Sequence, residues 1–206
     1  MKNHAFPLFP CIVYKDEETT GFRSIRRELL DYVYNQEKTC PSGNKSNRGG
    51  YQTKNINFWE EDPTFKPYLK WLLLRLEEYG NFMGYKKGSA LTIRSMWFNI
   101  NGKGSYNAEH IHPQADLAGT LWIKTDSNLG DLKFVNPQLY QTFNQLSLQS
   151  DEISSENGNS YATYALTPKE GSLVIFPAFL PHCVGINNYT KDRISLSFNL
   201  TLTGGN

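Results

Sequence analysis

Hydrophobic residues recur at helical spacing in the first part of the chain. Steps of three and four between apolar positions predict a first helix after Thr19–Thr20. A second helix is expected to begin near Asp62–Pro63, since Asp is a good N-cap and Pro suits the first helical position, and to end near Gly80 or Gly84. The apolar positions are Phe22, Ile25, Leu29, Leu30, Val33 and Tyr34, then Tyr68, Leu69, Leu72, Leu73, Leu76 and Tyr79. An edge strand over Leu8–Tyr14 is expected to precede both helices.

After Gly88 the pattern changes to the two-residue alternation that is typical of β-strands. Turn-forming residues separate these segments, and short strands at such spacing favour a sandwich or barrel. The predicted strands are Leu91–Ile100, Leu117–Lys124, Leu132–Val135, Tyr161–Leu166, Ser172–Phe176 and Arg193–Thr203. We therefore expect a mainly β protein with N-terminal helices. Residues 1–206 would form a single domain, with helical support in 1–88 and a β core in 89–206.

Two polar stretches are candidates for covering a site. Thr39–Lys54 is rich in Ser, Gly, Asn and Lys and is interpreted as a loop. Tyr140–Ser160 is long and rich in Ser, Asn and Gln, and such insertions often act as lids.

Charge and composition exclude several classes of protein. The 206 residues carry 21 Lys+Arg and 20 Asp+Glu, a net charge of +1, which argues against a nucleic-acid partner. No apolar run approaches the roughly 20 residues that a membrane span needs, and the N-terminus does not resemble a signal peptide. Three cysteines without a C-x-x-C pair favour neither disulfides nor a zinc site. A cytoplasmic protein is the expectation.

Three histidines suggest a metal site. His110 and His112 flank Ile111, and residues two apart on an extended chain point to the same side. His182 is the remaining internal histidine and could supply a third arm, with Pro181 restricting the backbone just before it. Imidazoles suit iron, zinc, copper and nickel. The competing interpretation is that these are incidental surface or core histidines.

A basic and a hydroxyl side chain share one face of the last predicted strand. Alternation places Arg193, Ser195 and Ser197 on one side, and an Arg beside a Ser can hold a carboxylate. The alternative is an exposed Arg193 paired with one of three nearby carboxylates, those of Asp192, Glu170 and Asp131.

Together these motifs resemble the Fe(II)- and 2-oxoglutarate-dependent oxygenases. Those enzymes usually show His-x-Asp/Glu, a distant His, and then Arg-x-Ser or a lone basic residue about ten positions on. More closely, the chain resembles a family of small 2-oxoglutarate–Fe(II) oxygenases found in marine bacteria and their phages. The matching segments are Leu8–Pro10 with Val13–Tyr14, Ser46–Gln52, Trp97–Asn99, Asn107–Pro113, Leu117–Gly119, Phe134–Pro137, Gly171–Pro177 and Arg193–Asn199.

The resemblance implies a double-stranded β-helix, a jelly-roll or cupin-like core braced by two helices, with Fe(II) and 2-oxoglutarate as cofactors. It implies that His110 and His182 bind the iron and that Arg193 and Ser195 receive the distal carboxylate of 2-oxoglutarate. Trp122 stands where relatives often place a Tyr against the same cosubstrate. Asn99 and Trp97, on the strand that leads to the site, would face the cosubstrate or the substrate or support the residues that bind them. The implied reaction is hydroxylation of a C–H bond in an amino acid, a peptidyl residue such as proline, or a small molecule, with O2 consumed and succinate and CO2 released.

One position departs from the oxygenase pattern. His112 stands where the carboxylate ligand usually lies. Three arrangements remain open: His112 binds the metal, Asp116 swings in as the carboxylate, or His112 stays outside the metal shell and water completes it. Neutral ligands leave more positive charge on the iron, so the departure bears directly on metal affinity.

Two other functions compete with this one. A three-histidine cupin-type dioxygenase would use the same imidazoles without 2-oxoglutarate, and then Arg193 and Ser195 would have no evident role. A non-enzymatic jelly-roll binding or structural protein would bind no metal. The sequence leaves the substrate open, and also the oligomeric state, a dimer included. A phage-encoded protein acting in its host's cytoplasm is a further expectation.

Overall fold

Two antiparallel β-sheets face each other, and helices cover the outer side of the larger one. A computed structural model describes residues 10–17, 21–43, 45–54, 56–138 and 163–204. The helices are α1 (Phe22–Thr39), α2 (Phe58–Glu61) and α3 (Lys66–Met83), with a 3₁₀ turn at Pro63–Phe65. The strands are β1 (Tyr14–Asp16), β2 (Asn47–Arg48), β3 (Tyr51–Gln52), β4 (Ala90–Asn101), β5 (Tyr106–His110), β6 (Leu117–Lys124), β7 (Leu132–Val135), β8 (Thr163–Leu166), β9 (Leu173–Pro177), β10 (His182–Val184) and β11 (Arg193–Thr203).

The strand order places β11 in the middle of the larger sheet. That sheet runs β1-β9-β6-β11-β4-β3, and the smaller sheet runs β2-β5-β10-β7-β8. The two inner faces pack against each other, as shown by Phe134 of β7 and Phe176 of β9, whose ring centroids lie 5.0 Å apart. The expected mainly β fold with N-terminal helices is confirmed.

Alternation along β11 separates the protein core from the space between the sheets. Ile194, Leu196, Phe198 and Leu200 are fully buried in the cluster that also contains the apolar faces of α1 and α3. The intervening residues, from Arg193 to Asn199, therefore face the other sheet. This one strand both anchors the helices and lines the interior.

The two predicted helices are present, and their buried residues follow the predicted pattern. Phe22, Ile25, Leu29 and Val33 are the buried positions of α1. At the second predicted start, Asp62 accepts a hydrogen bond from the backbone N–H of Thr64 at 2.9 Å, so it caps the 3₁₀ turn that leads into α3. The helix α3 ends at Gly84, whose φ of 68° is left-handed. No described helix is long and apolar enough to span a membrane.

Several strand predictions need correction. The edge strand covers Tyr14–Asp16, whereas Leu8–Tyr14 was predicted. The stretch Thr39–Lys54 contains the short strands β2 and β3, so it is not wholly a loop. Strand β8 is seen from Thr163, and the proposed lid at Tyr140–Ser160 lies outside the described residues.

The strands β5 and β10 were not predicted at all. Strand β5 reads Tyr-Asn-Ala-Glu-His and shows no apolar alternation, and β10 has three residues. Both are held by pairing within the smaller sheet rather than by their own hydrophobic pattern.

Candidate active site

Three histidines converge at one edge of the space between the sheets. His110 ends β5 and His182 begins β10, and the two residues are directly paired across the antiparallel ladder. His112 follows two residues after His110, and their Nε2 atoms lie 3.2 Å apart. One ring nitrogen from each histidine lies within 4.8 Å of the others, and no second group of three such side chains occurs in the described ranges. For comparison, two cis ligands each about 2.1 Å from one ion lie about 3 Å apart.

The other ring nitrogen of each histidine contacts an oxygen acceptor. Nδ1 of His110 lies 2.7 Å from the carbonyl oxygen of Ala108, and Nδ1 of His182 lies 2.9 Å from that of Leu180. Nδ1 of His112 lies 2.5 Å from Oδ1 of Asn199. An oxygen acceptor requires N–H at Nδ1, so a neutral ring then has its lone pair at Nε2. Two such lone pairs 3.2 Å apart repel each other unless a cation lies between them.

Burial keeps these rings neutral. Loss of hydration lowers the pKa of His112 to about 4 and the pKa of His182 to about 3, and it also lowers the pKa of His110. For His182 the neighbouring His110 adds to the effect. At neutral pH the three imidazoles are therefore free of the extra proton that would block metal binding.

Arg193 is buried in the same cavity. Its side chain is 2% exposed, and burial lowers its pKa to about 10 against an opposing attraction from Asp131. Its Nη1 donates to the carbonyl oxygens of Leu129, Gly130 at 3.3 Å and Gly185 at 3.0 Å. Its Nη2 is buried and has no hydrogen-bond partner. One end of the guanidinium is thus held by backbone, while the other offers unused donors.

The exposed-arginine alternative does not describe this residue. Glu170 pairs instead with Arg26 at 2.7 Å, and Asp192 accepts a hydrogen bond from the Tyr34 hydroxyl at 3.0 Å. No ion pair of Arg193 is found within the part of the chain that the structure describes.

The remaining predicted site residues line the same cavity. Ser195 lies between Trp122 of β6 and Asn99 of β4 in the sheet register, and all three contribute to the cavity wall. Trp122 and Asn99 are buried, with 3% and 4% of their surface exposed. Trp97 also lines the cavity, and its ring centroid lies 5.5 Å from that of His112.

Asp116 does not reach the histidines. Its side chain is exposed, and Oδ2 accepts a hydrogen bond from the backbone N–H of Leu202 at 2.8 Å. The alternative in which Asp116 supplies a carboxylate ligand therefore has no support in this geometry.

Sequence reasoning missed Asn199 and several wall residues. Asn199 continues the Arg193, Ser195, Ser197 alternation by one step, so the signal was present in the strand pattern. The cavity-wall residues that were not predicted are Ser46, Asn107, Gly119, Thr120, Leu132, Phe176 and Val184. Ser46, Asn107, Gly119 and Phe176 lie in segments that carry the family resemblance, although nothing there marked them as cavity residues. Thr120, Leu132 and Val184 belong to no distinctive motif.

The fold of the chain is that of the double-stranded β-helix oxygenases. A Pseudomonas putida prolyl-4-hydroxylase aligns with a TM-score of 0.58 and 13% identity, covering 92% of this chain and 91% of that chain. The viral collagen prolyl hydroxylase from Paramecium bursaria Chlorella virus-1, in its 2-oxoglutarate complex, gives a TM-score of 0.54 and 13% identity over 91% and 94%. HygX from Streptomyces hygroscopicus, with nickel and 2-oxoglutarate bound, gives 0.57 and 9% over 92% and 82%. At these identities the likeness shows the fold alone.

Family membership comes from the sequence itself. The family described as "Putative 2OG-Fe(II) oxygenase" matches residues 95–199, half of the chain, and the chain belongs to that family. A search among curated proteins finds no significant match. The matched residues include the three histidines, Arg193 and Ser195. The predicted cofactors, Fe(II) and 2-oxoglutarate, are those that the family description names.

The residues present fit both groups. Three neutral imidazoles with inward lone pairs suit a divalent first-row ion. A buried guanidinium nitrogen without a partner suits a carboxylate, because an uncompensated buried charge is costly.

Proposed function

We propose that this oxygenase is an Fe(II)- and 2-oxoglutarate-dependent hydroxylase that acts on a C–H bond. His110, His112 and His182 would hold the iron, and Arg193 with Ser195 would hold the distal carboxylate of 2-oxoglutarate. One observation carries the proposal: three clustered imidazoles and Arg193, whose Nη2 is buried and without a hydrogen-bond partner, line one cavity. Residues 1–206 would act as a single domain, in which the core around β11 unites the helices and the larger sheet.

When bound, iron and 2-oxoglutarate supply the chemistry that inserts one oxygen atom of O2 into a C–H bond, with release of succinate and CO2. The protein's part is orientation. Backbone carbonyls hold Nη1 of Arg193, so Nη2 is directed to the ligand without a large entropic cost on binding. The Ser195 hydroxyl, on the same strand face, adds a second donor.

The cavity walls exclude water around the reacting groups. Trp122, Phe176 and Leu132 are buried apolar residues that line it. Trp97 and Asn99 lie on β4, Trp97 beside His112 and Asn99 opposite Ser195, and both would contact the cosubstrate or the substrate. His112 would be the third ligand in place of a carboxylate, which leaves the protein contribution to the metal neutral.

Several substrate classes are compatible with this site. An amino acid, a peptidyl residue and a small molecule are all candidates. A proline-containing peptide is a sensible first test, since two structurally similar proteins are prolyl hydroxylases.

Anaerobic binding separates this function from its rivals. Fe(II) with 2-oxoglutarate should give a weak visible charge-transfer band in the wild type. Arg193→Gln should abolish the band at moderate 2-oxoglutarate while metal binding persists. Arg94→Gln, at an exposed arginine on β4, serves as the matched control and should behave as wild type.

A band that is indifferent to Arg193→Gln would favour a cupin-type dioxygenase. A protein that binds no metal above background would favour a non-enzymatic role. Succinate release, screened against amino acids and peptides under O2, then tests turnover and substrate class together.

A further inference from the structure

The three imidazoles are oriented by two different kinds of partner. His110 and His182 each use the backbone carbonyl two residues earlier, that of Ala108 and that of Leu180. Those carbonyls are present whatever side chain follows. His112 instead uses a side chain, Oδ1 of Asn199, 87 positions along the chain. Of the three rings, only that of His112 has an Nδ1 partner that a substitution can remove.

Asn199 is itself held in place by the sheet. It lies on the cavity-facing side of β11, directly opposite Ser95 of β4. The pairing is irregular immediately afterwards, because Leu200 pairs with Ile93 and one residue of β4 is skipped. Such bulges turn side chains toward sites.

The amide of Asn199 contacts Ser95 with its nitrogen and His112 with its oxygen. Nδ2 of Asn199 donates to Oγ of Ser95 at 3.1 Å, and Ser95 is 7% exposed. The amide oxygen faces His112, where it can only accept. A series of hydrogen bonds, His112–Asn199–Ser95, thus runs from the histidine cluster across β11 to β4.

We propose that Asn199 is a positioning residue that fixes the tautomer and the direction of the His112 ring. The inference rests on the proposed function, in which His112 is the third metal ligand. By accepting from Nδ1–H, Asn199 leaves the lone pair on Nε2, which faces His110 Nε2 at 3.2 Å. Without that acceptor the ring can carry its proton on Nε2, and in that tautomer it cannot bind the ion at this position.

The test measures metal affinity rather than turnover. Co(II) is titrated into the metal-free protein and followed by its visible absorption. Asn199→Leu, which keeps the size and removes the acceptor, should weaken Co(II) binding about 10- to 100-fold. Asn199→Asp, which keeps an acceptor, should bind within about threefold of wild type or more tightly. Thr201→Val, a same-shape change further along β11, is the control and should have no effect.

A double-variant cycle separates positioning from a general structural effect. In a His112→Ala background, Asn199→Leu should cause no further loss of Co(II) affinity, because the ring it orients is gone. Ser95→Ala should cause a smaller loss than Asn199→Leu, since it only loosens the amide, and it also covers the case in which Asn199→Leu does not fold.

Two outcomes would overturn the inference alone. One is wild-type Co(II) affinity in Asn199→Leu while His112→Ala binds weakly. The other is an equal loss from Asn199→Leu in both backgrounds. If His112→Ala itself binds Co(II) like the wild type, His112 is not a ligand and the proposed three-histidine site fails as well.

Discussion

The imidazole group and the guanidinium of the cavity are held by contacts of very different range. At the imidazole end, two of the three rings are hydrogen-bonded to the carbonyl two residues earlier in the chain. Arg193 instead contacts carbonyls 64, 63 and 8 positions away. These contacts form only when the loop before β7 and the turn after β10 come together.

This contrast suggests that the two ends fail in different ways. A short-range contact forms wherever the local backbone is extended, so the metal end depends mainly on the histidines themselves. The contacts of Arg193 depend instead on loop residues that do not line the cavity. Substitutions in those loops should therefore damage cosubstrate binding while metal binding survives.

The largest effect is expected at the metal end. His182→Ala removes one of the three proposed ligands, and the ring that it removes is the most deeply buried of the three. Loss of an outer contact already costs about 10- to 100-fold in metal affinity, so loss of a ligand should exceed 100-fold. Calorimetric or absorption titration with Co(II) measures this. Near wild-type affinity would show that His182 does not bind the metal.

The corresponding change next to Arg193 is Gly130→Ala. Gly130 has a φ of 95°, and a Cβ there would lie 2.4 Å from the carbonyl oxygen of Gly185 and 2.6 Å from Nη1 of Arg193. The added methyl group must displace the guanidinium, so 2-oxoglutarate affinity should fall at least about tenfold. Co(II) affinity should change little.

A matched control isolates the clash from backbone strain. Gly104 also has a positive φ, of 81°, but a Cβ there would meet no atom within 4 Å. Gly104→Ala should cost about 1 kcal/mol of stability and leave 2-oxoglutarate binding intact. If both variants lose 2-oxoglutarate affinity equally, backbone strain rather than displacement of Arg193 is responsible.

The pH dependence of stability probes the imidazole end of the metal-free protein. The pKa values of His112 and His182 lie at about 4 and about 3 in the folded chain because of burial, below the ordinary value of 6.5. Between pH 6.5 and these folded-state values the unfolded chain therefore binds more protons than the folded chain. The free energy of unfolding then falls as the pH drops below about 6.5. The slope should reach about 1.4 kcal/mol per pH unit for each such histidine.

Denaturant unfolding at pH 7.5, 6.0 and 5.0 checks the sign. Saturating Co(II) should raise the stability at all three pH values and leave the slope nearly unchanged, because the folded rings of His112 and His182 bind few protons above pH 5 with or without the ion. A metal-free protein that becomes more stable on acidification would contradict the burial of these rings.

The smallest effect is expected from the hydrogen bonds of Tyr34 on α1. The Tyr34 hydroxyl donates to Asp192 at 3.0 Å and accepts from Nζ of Lys124 at 2.9 Å, and so ties α1 to the strand that carries Arg193. Tyr34→Phe should cost about 1 kcal/mol of folding stability. Thermal unfolding measures it. Unchanged 2-oxoglutarate affinity would show that the three carbonyl contacts of Arg193 are enough to hold its side chain. A clear loss would show that α1 also contributes to the position of Arg193.

Much of the fold was predictable because its longest elements repeat their pattern. Leu117–Lys124, Leu132–Val135 and Arg193–Thr203 match the predicted strands residue for residue. Strands β5 and β10 were missed because they are polar or short and gain their stability from neighbours. The convergence of His110 and His112 followed from two-residue spacing, which needs no knowledge of the sheet.

The amino-acid sequence by itself determined the strands with a strong alternation, the two long helices, the family, and the polar face of β11 that carries Arg193 and Ser195. These are properties of neighbouring residues and of local backbone geometry, which act over a few positions. Only the tertiary structure decided that three loop carbonyls hold Arg193 and leave Nη2 unpartnered, that Asp116 accepts from the backbone of β11 instead of approaching the histidines, and that Oδ1 of Asn199 contacts His112. Most of those contacts join residues more than 60 positions apart, and they exist only once the register of both sheets is set.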